Sequence, residues 1–249
     1  MPYVVGGAFA MHHFTGIWRH PRGLELFVMP EDVSRALEVL GSAGFATRVV
    51  ADHWLARAIR GSASVDLVFG SANWLIMVDR LWLERSVPSL LLGVPVRIAP
   101  VEELIRGKAY IAGRDRYDGA DVVHLILGVR GQLDWEYLVA RFDRHWGLLF
   151  AYLCLFRFVY PHDRNLVPDA VLWQLAARQA DLLRRPAPEQ RVCQGTLLDR
   201  ISYVVDVERG YHDPREELAV ARGFSGQEVA LERRWAKKVA MGVAERPQA

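Results

Sequence analysis

The sequence predicts an α+β fold: a small mixed sheet with flanking helices, followed by a helical C-terminal region. Three observations carry this expectation. Short apolar strands crowd the first 99 residues, with helices between them at uneven intervals instead of repeated strand–helix–strand units. From Pro100 onward the apolar positions recur at helical spacing. At 249 residues and 51% hydrophobic, the chain can bury a substantial core in one domain with a helical extension. The expected units are residues 1–99, a helical region 100–185 packing on them, and a helical tail 186–249 set off by Pro186-Ala187-Pro188.

Taken in order, Val4-Val5 is a short strand that runs into Gly6-Gly7 and a small-residue helix from Ala8 to Phe14. The glycines permit positive φ and a close approach to the main chain. The helix start behind them offers unpaired N–H groups to an anion such as phosphate. Leu24 to Val28 is the second strand, and its alternation sets Glu25 on the face opposite Leu24 and Leu26. Pro30 with Glu31 and Asp32 opens a helix whose Val33, Ala36, Leu37 and Leu40 share a face; Gly41 and Gly44 close it. Phe45 to Val50 is expected as a strand, and Asp52 to Arg60 as a short helix closed by Gly61.

Ala63 to Phe69 is the next strand, and Asp66 is its only charge. An acid among Val, Leu and Phe is costly to bury unless it is paired or metal-bound. That makes Asp66 a site candidate. Gly70 to Asn73 turns the chain, Leu81 to Ser86 is a helical turn, and Val87 to Ile98 holds two strands around Gly93-Val94-Pro95. Further helices are expected at 101–114, 120–127, 134–144, 146–160, 168–183 and 194–208, with a last segment from Pro214 to about Val243. Trp135, Tyr137, Phe142, Trp146, Phe150, Tyr152 and Phe156 fall at helix-like spacing and read as bundle core.

Composition excludes several classes. A net charge of +2, from 31 basic and 29 acidic residues, does not indicate nucleic-acid binding by bulk electrostatics. Arg184-Arg185 and Arg233-Arg234 with Lys237-Lys238 read as solvated helix faces. Cys154 and Cys193 lack metal-ligand spacing, and Cys154 is expected to be buried. No signal peptide is evident, and the apolar run Leu148 to Val159 is interrupted by Arg157 and too short to span a bilayer. The expectation is a soluble, cytoplasmic protein without a membrane partner. Ser71 and Ser225 lack a nucleophile-elbow context, and no His-Glu-x-x-His or Cys-x-x-Cys pattern occurs.

Gly6-Gly7-Ala8-Phe9-Ala10, Arg19, Leu24-Glu25-Leu26-Phe27-Val28 with Pro30-Glu31-Asp32, and Val65-Asp66-Leu67-Val68-Phe69-Gly70 carry a family likeness. Over roughly residues 3 to 130 the chain resembles the small bacterial nucleotidyltransferase-like proteins, which have the polymerase-β-like fold. The resemblance implies transfer of a nucleoside monophosphate from an NTP to an acceptor, with Mg²⁺ or Mn²⁺. It also implies that Glu25 and Asp66 are the catalytic and metal-binding acids, and that Gly6, Gly7, Arg19, Lys108 and Arg116 contact the nucleotide. Lys108, Arg116, Asp118 and Asp121 fill the places of a cleft-facing lysine and the arginine and aspartate that follow it.

Family members carry Asp-x-Asp on the second strand. Here the first position is Gly23 and the second is Glu25, so the acid motif is degenerate. Of two Mg²⁺ ions about 4 Å apart, each needing oxygen ligands at about 2.1 Å, Glu25 and Asp66 could hold one, and the second would lose much of its cage without an acid at position 23. His12, His13 and His20 are nearby substitutes in sequence, but imidazole suits Mn²⁺ or Zn²⁺ better than Mg²⁺. The alternative is a catalytically inactive relative that still binds a nucleotide or a protein partner. A protein partner or homo-oligomer would engage the helical region. The acceptor and the particular nucleotide are not specified by these residues.

Overall fold

The computed structural model describes residues 1–21 and 23–243. Its first half comprises β1 (Val4–Val5), α1 (Gly7–Thr15), β2 (Leu24–Phe27), α2 (Val33–Ser42), β3 (Ala46–Ala51), β4 (Leu55–Arg60), β5 (Ala63–Val68), α3 (Arg80–Glu84), β6 (Val87–Leu91) and β7 (Val94–Ile98). These strands form one seven-stranded sheet in the order β3-β4-β5-β2-β1-β7-β6. β2 runs parallel to β5 and β1 parallel to β7, while the other pairs are antiparallel. The fold is α+β with a mixed sheet, as the uneven spacing of strands and helices predicts.

Period-2 alternation decides which face each strand residue takes. Ala56, Ala58, Val65, Leu67 and Val28 turn toward Val33 and Ala36 of α2 and form one core. The alternate residues Arg57, Asp66 and Glu25 therefore point to the other face. Over the β1–β7 side a larger core gathers Val4, Val5 and Ile98 with Ala10 and Met11 of α1 and with the helices that follow. These are α4 (Val101–Ala109), α5 (Gly119–Gly128), α6 (Trp135–Phe142), α7 (Trp146–Val159) and α8 (Asp169–Leu182). Then come α9 (Val204–Glu208), α10 (Arg215–Ala221) and α11 (Gly226–Ala240). Tyr137, Phe142, Tyr152 and Phe156 are buried, and Trp135, Trp146 and Phe150 pack partly buried against that core. Among the described residues no helix is long and apolar enough to cross a membrane.

Four expectations are corrected. Residues 55–60 form strand β4, not a helix. Their alternation of Leu55, Arg57 and Ile59 with Ala56 and Ala58 fits a slot between β3 and β5, where tertiary pairing overrides the helix propensity of alanine. The helix from Val101 stops at Ala109, because Ala112 bridges back to Tyr117 and the Asp118 N–H donates to the Ile111 carbonyl at 2.8 Å. That hairpin returns Arg116 and Asp118 toward Lys108. Residues 194–208 are not one helix: a 3₁₀ turn ends at Leu197, Asp199 accepts from the Ile201 N–H at 2.9 Å, and helix resumes at Val204. Cys154 is exposed, since Leu149, Tyr152, Leu153 and Phe156 take the inward face of α7.

The C-terminal helices are pinned by a buried ionic cluster. Arg215 is fully buried, with Nε and Nη2 donating to the Asp213 carboxylate at 3.0 and 2.7 Å and Nη1 to Glu232 at 3.3 Å. Thr196 Oγ1 also donates to Asp213, at 2.9 Å. Burial pushes the Asp213 carboxyl up, but these hydrogen bonds and the Arg215 charge outweigh it, so its pKa lies below the usual value. Arg215→Ala, which strands a buried carboxylate, should lower the unfolding free energy by about 3–5 kcal/mol in urea titrations at neutral pH. The sign with pH follows from the lowered pKa. Asp213 contributes its full stability above the unfolded value of about 3.9, and the contribution is lost as pH falls through the folded value. In the variant, burial with Arg215 gone holds the carboxyl up instead, so its penalty is relieved as pH falls toward about 3.9, a window above the one in which the wild type loses stability.

Candidate functional site

The site is built from a row of side chains crossing the open face of the sheet. Arg48 on β3 is paired in register with Arg57 on β4, Arg57 with Asp66 on β5, and Asp66 with Glu25 on β2. Arg57 and Asp66 meet fork to fork: Nε donates to Oδ1 at 2.6 Å and Nη2 to Oδ2 at 2.9 Å. Both Asp66 oxygens are thus engaged on the side away from Glu25. Donating these hydrogen bonds to Asp66 also raises the Arg57 pKa, although burial opposes it.

Glu25 closes the row against α1. The Gly6 N–H donates to the Glu25 carbonyl at 2.9 Å, and the Glu25 side chain lies directly over Gly7. A Cβ placed on Gly7 would come within 2.6 Å of the Glu25 carboxyl, and Gly7 has φ +56°. On Gly6 a Cβ would run into the Phe27 ring at 1.9 Å. The glycine pair therefore does allow a close approach, but what approaches is the protein's own second strand. The Glu25 carboxyl sits at the amino end of α1, where the helix dipole favours a negative charge. Burial pushes its pKa up; Lys108 and Arg116 oppose the shift, while Asp66 and Asp118 reinforce it.

Beside this row lies a second group on the helices. Lys108 Nζ, near the end of α4, contacts Asp118 at 2.9 Å and Asp121 at 2.6 Å. Arg116 Nε and Nη2 bind Asp118 at 3.1 and 3.0 Å. Arg19 Nη2 reaches Asp121 at 2.5 Å. Burial raises the Asp118 pKa, but Arg116 and Lys108 outweigh it and the net shift is downward. Asp118 and Asp121 are buried, whereas the Arg19 and Arg116 side chains keep 52% and 59% of their surface exposed, which leaves donors for an anion.

The structure brings Glu25, Asp66, Gly6, Gly7, Lys108 and Arg116 into one electrostatic neighbourhood, with Arg19 joined to it through Asp121. The histidines stand apart: His12 packs edge-on to Trp18 at 5.2 Å, His13 Nδ1 meets Ser89 Oγ at 3.1 Å, and His20 is exposed. Among the described residues no group of three or more His, Cys, Asp or Glu side chains converges as a metal site. A cavity of about 440 Å³ lined by His13, Phe14, Arg85, Glu102, Gly128 and Gln132 opens at the opposite ends of α1 and α5, away from the charged row. Sequence reasoning missed Arg57, whose strand was expected to be a helix. The alternation in residues 55–60 was the signal for it.

Gly23 is closed by packing. A Cβ there would lie 2.2 Å from Ser64 Oγ and 2.8 Å from the Ser64 carbonyl oxygen. The carbonyl belongs to the neighbouring strand backbone, so a side chain at position 23 must push the sheet apart.

No family model matches the chain, and no curated protein matches it. Three solved structures show partial likeness. The lincosamide antibiotic adenylyltransferase LnuA, in a lincomycin-bound crystal structure, has 13% identity and a TM-score of 0.35, covering 49% of this chain and 84% of its own. The antibiotic-resistance factor ANT(2'')-Ia has 16% identity and a TM-score of 0.42, covering 59% and 85%. JHP933 from Helicobacter pylori has 13% identity and a TM-score of 0.35, covering 84% and 90%. At this level of likeness the site is read from this chain's own residues.

Two outcomes test the packing at the glycines. Gly7→Ala should destabilise the protein by about 1–2 kcal/mol from the left-handed backbone alone, with a further loss from the Glu25 contact that Glu25→Ala relieves in a double-mutant cycle. Gly23→Asp should lower the melting temperature. An unchanged melt would show that Ser64 gives way freely.

Proposed function

We propose that this protein is a nucleotidyltransferase-like nucleotide-binding protein, with the phosphates of a nucleoside triphosphate held by Arg19, Lys108 and Arg116 beside the Glu25–Asp66 row. The observation that carries this reading is that Lys108 and Arg116, at the junction of α4 and α5, lie beside Glu25 where it stands in register with Asp66, with Arg19 joined to them through Asp121. Exposed guanidinium ends next to a cluster already held rigid by buried aspartates suit a polyanion, because little side-chain order remains to be imposed on binding.

Binding without transfer is favoured by the state of the acids. Position 23 has no room for a carboxylate, and Asp66 is already bound on both oxygens. Transfer of a nucleoside monophosphate to an acceptor is the second reading. It is supported by the adjacency of Glu25 and Asp66 across β2 and β5.

Calorimetry with ATP, GTP, CTP and UTP tests the first reading, and pyrophosphate release in the same samples tests the second. At least one nucleotide should bind. Arg116→Ala should weaken it about tenfold, or about 1.4 kcal/mol, while Arg184→Ala, on the exposed end of the region after α8, leaves it unchanged. No binding by any of the four would overturn the proposal. Steady pyrophosphate release would replace binding alone with transfer.

A further inference from the structure

Resting on the nucleotide-binding reading, we infer that this cleft takes its nucleoside triphosphate as the free anion, without a divalent cation, and that the Arg57 guanidinium does part of the neutralising.

The donor set does not fit the ions that the family resemblance implies. Mg²⁺ sheds water reluctantly and is held where carboxylates converge with free oxygens. Of the three acid positions expected on the sheet, one is Gly23, walled off by the Ser64 carbonyl oxygen 2.8 Å from where a Cβ would stand. The second, Glu25, lies against Gly7 at the amino end of α1. The acid of the later strand, Asp66, has each oxygen in a charge-assisted bond to Arg57, at 2.6 and 2.9 Å.

Arg57 is fixed in that role by the sheet. It is directly opposite Asp66 in the β4–β5 ladder, so the fork needs no long reach or unusual loop. Its planar guanidinium matches a carboxylate in a way an ammonium would not. A divalent ion entering between Glu25 and Asp66 would have only the remaining lone pairs of Asp66, whose charge Arg57 already neutralises, and would stand close to that guanidinium, cation next to cation. The helix-borne acids offer no alternative cage, because Asp118 and Asp121 are already shared by Lys108, Arg116 and Arg19.

What remains for a bare polyphosphate are the exposed guanidinium edges. Arg19, Arg57 and Arg116 are each paired with an aspartate, and their side chains keep 52%, 35% and 59% of their surface exposed. Arg57 binds Asp66 through Nε and Nη2, which leaves Nη1 outside that fork. Arg48, next along the row, extends the positive strip to the edge of the sheet.

The test is calorimetry on the full chain with ATP, GTP, CTP and UTP, in excess EDTA and again in excess MgCl₂. The nucleotide that binds should do so at least about tenfold more tightly in EDTA than in excess MgCl₂, because Mg²⁺ complexes the free triphosphate and competes with the protein for it. Arg57→Gln should weaken binding about tenfold in EDTA, and MgCl₂ should recover part of that loss, since Asp66 is then free beside Glu25. Arg57→Lys, which keeps the charge, should lose less than Arg57→Gln in EDTA. Wild-type binding that is as tight or tighter in MgCl₂ would overturn the inference while leaving nucleotide binding intact. Equal EDTA affinities for wild type and a folded Arg57→Gln would overturn the role of Arg57. Absence of binding in both conditions would remove the nucleotide reading itself, and this inference with it.

Discussion

The bidentate pair of Arg57 and Asp66 governs how every other charge on the open sheet face is placed. Asp66 stands mid-strand between Val65 and Leu67, on the face opposite the core those residues enter. The sheet provides a partner of opposite charge at the same register on the adjoining strand. Once Asp66 faces Arg57, it turns away from Glu25, and Glu25 is left with the amino end of α1 and the more distant fields of Lys108 and Arg116. The glycines at 6 and 7 are the steric counterpart of that arrangement: they clear the space that Phe27 and the Glu25 carboxyl occupy.

The fold class was legible because it rests on spacing. Val87 to Ile98 reads as two strands around a Gly-containing turn, and the turn proves to hold Leu92 and Gly93 at φ 51° and 81°. Helices α5 and α7 follow from runs whose inward positions recur every three or four residues. What failed were segments where local propensity and tertiary pairing disagree. Leu55-Ala-Arg-Ala-Ile-Arg looks helical by composition, yet two neighbouring strands and α2 above make it a strand. The break after Leu197 likewise depends on Tyr203 packing over Gly195 and on the Asp199 side chain, neither visible in a periodicity.

That one misread strand had consequences for the site. With residues 52–60 assigned to a helix, Asp66 stood alone among apolar residues, and a metal was the natural partner to invoke. With β4 in its place, Arg57 answers the charge within the protein. Gly23 shows a related limit. The sequence reveals that an acid is absent there, but only the register of β2 against β5 reveals that Ser64 has closed the space. An absent side chain and a filled position are different physical states, and the second makes simple restoration unfavourable.

The helix-borne cluster does not share this closure, and the contrast directs attention to where a ligand would enter. Asp118 and Asp121 are buried and hold Lys108 tightly, so that lysine serves first as the tie between α4 and α5. Arg19 and Arg116 each commit one edge of the guanidinium to an aspartate and turn the remainder to solvent. A guanidinium held in this way is oriented before any ligand arrives, and its outward N–H groups are matched to the oxygens of a phosphate. Asp66 is thus paired within the sheet, whereas the outer edges of Arg19 and Arg116 stay exposed to solvent beyond their bonds to Asp121 and Asp118. Under the proposed function, those exposed edges are where an anion would be met.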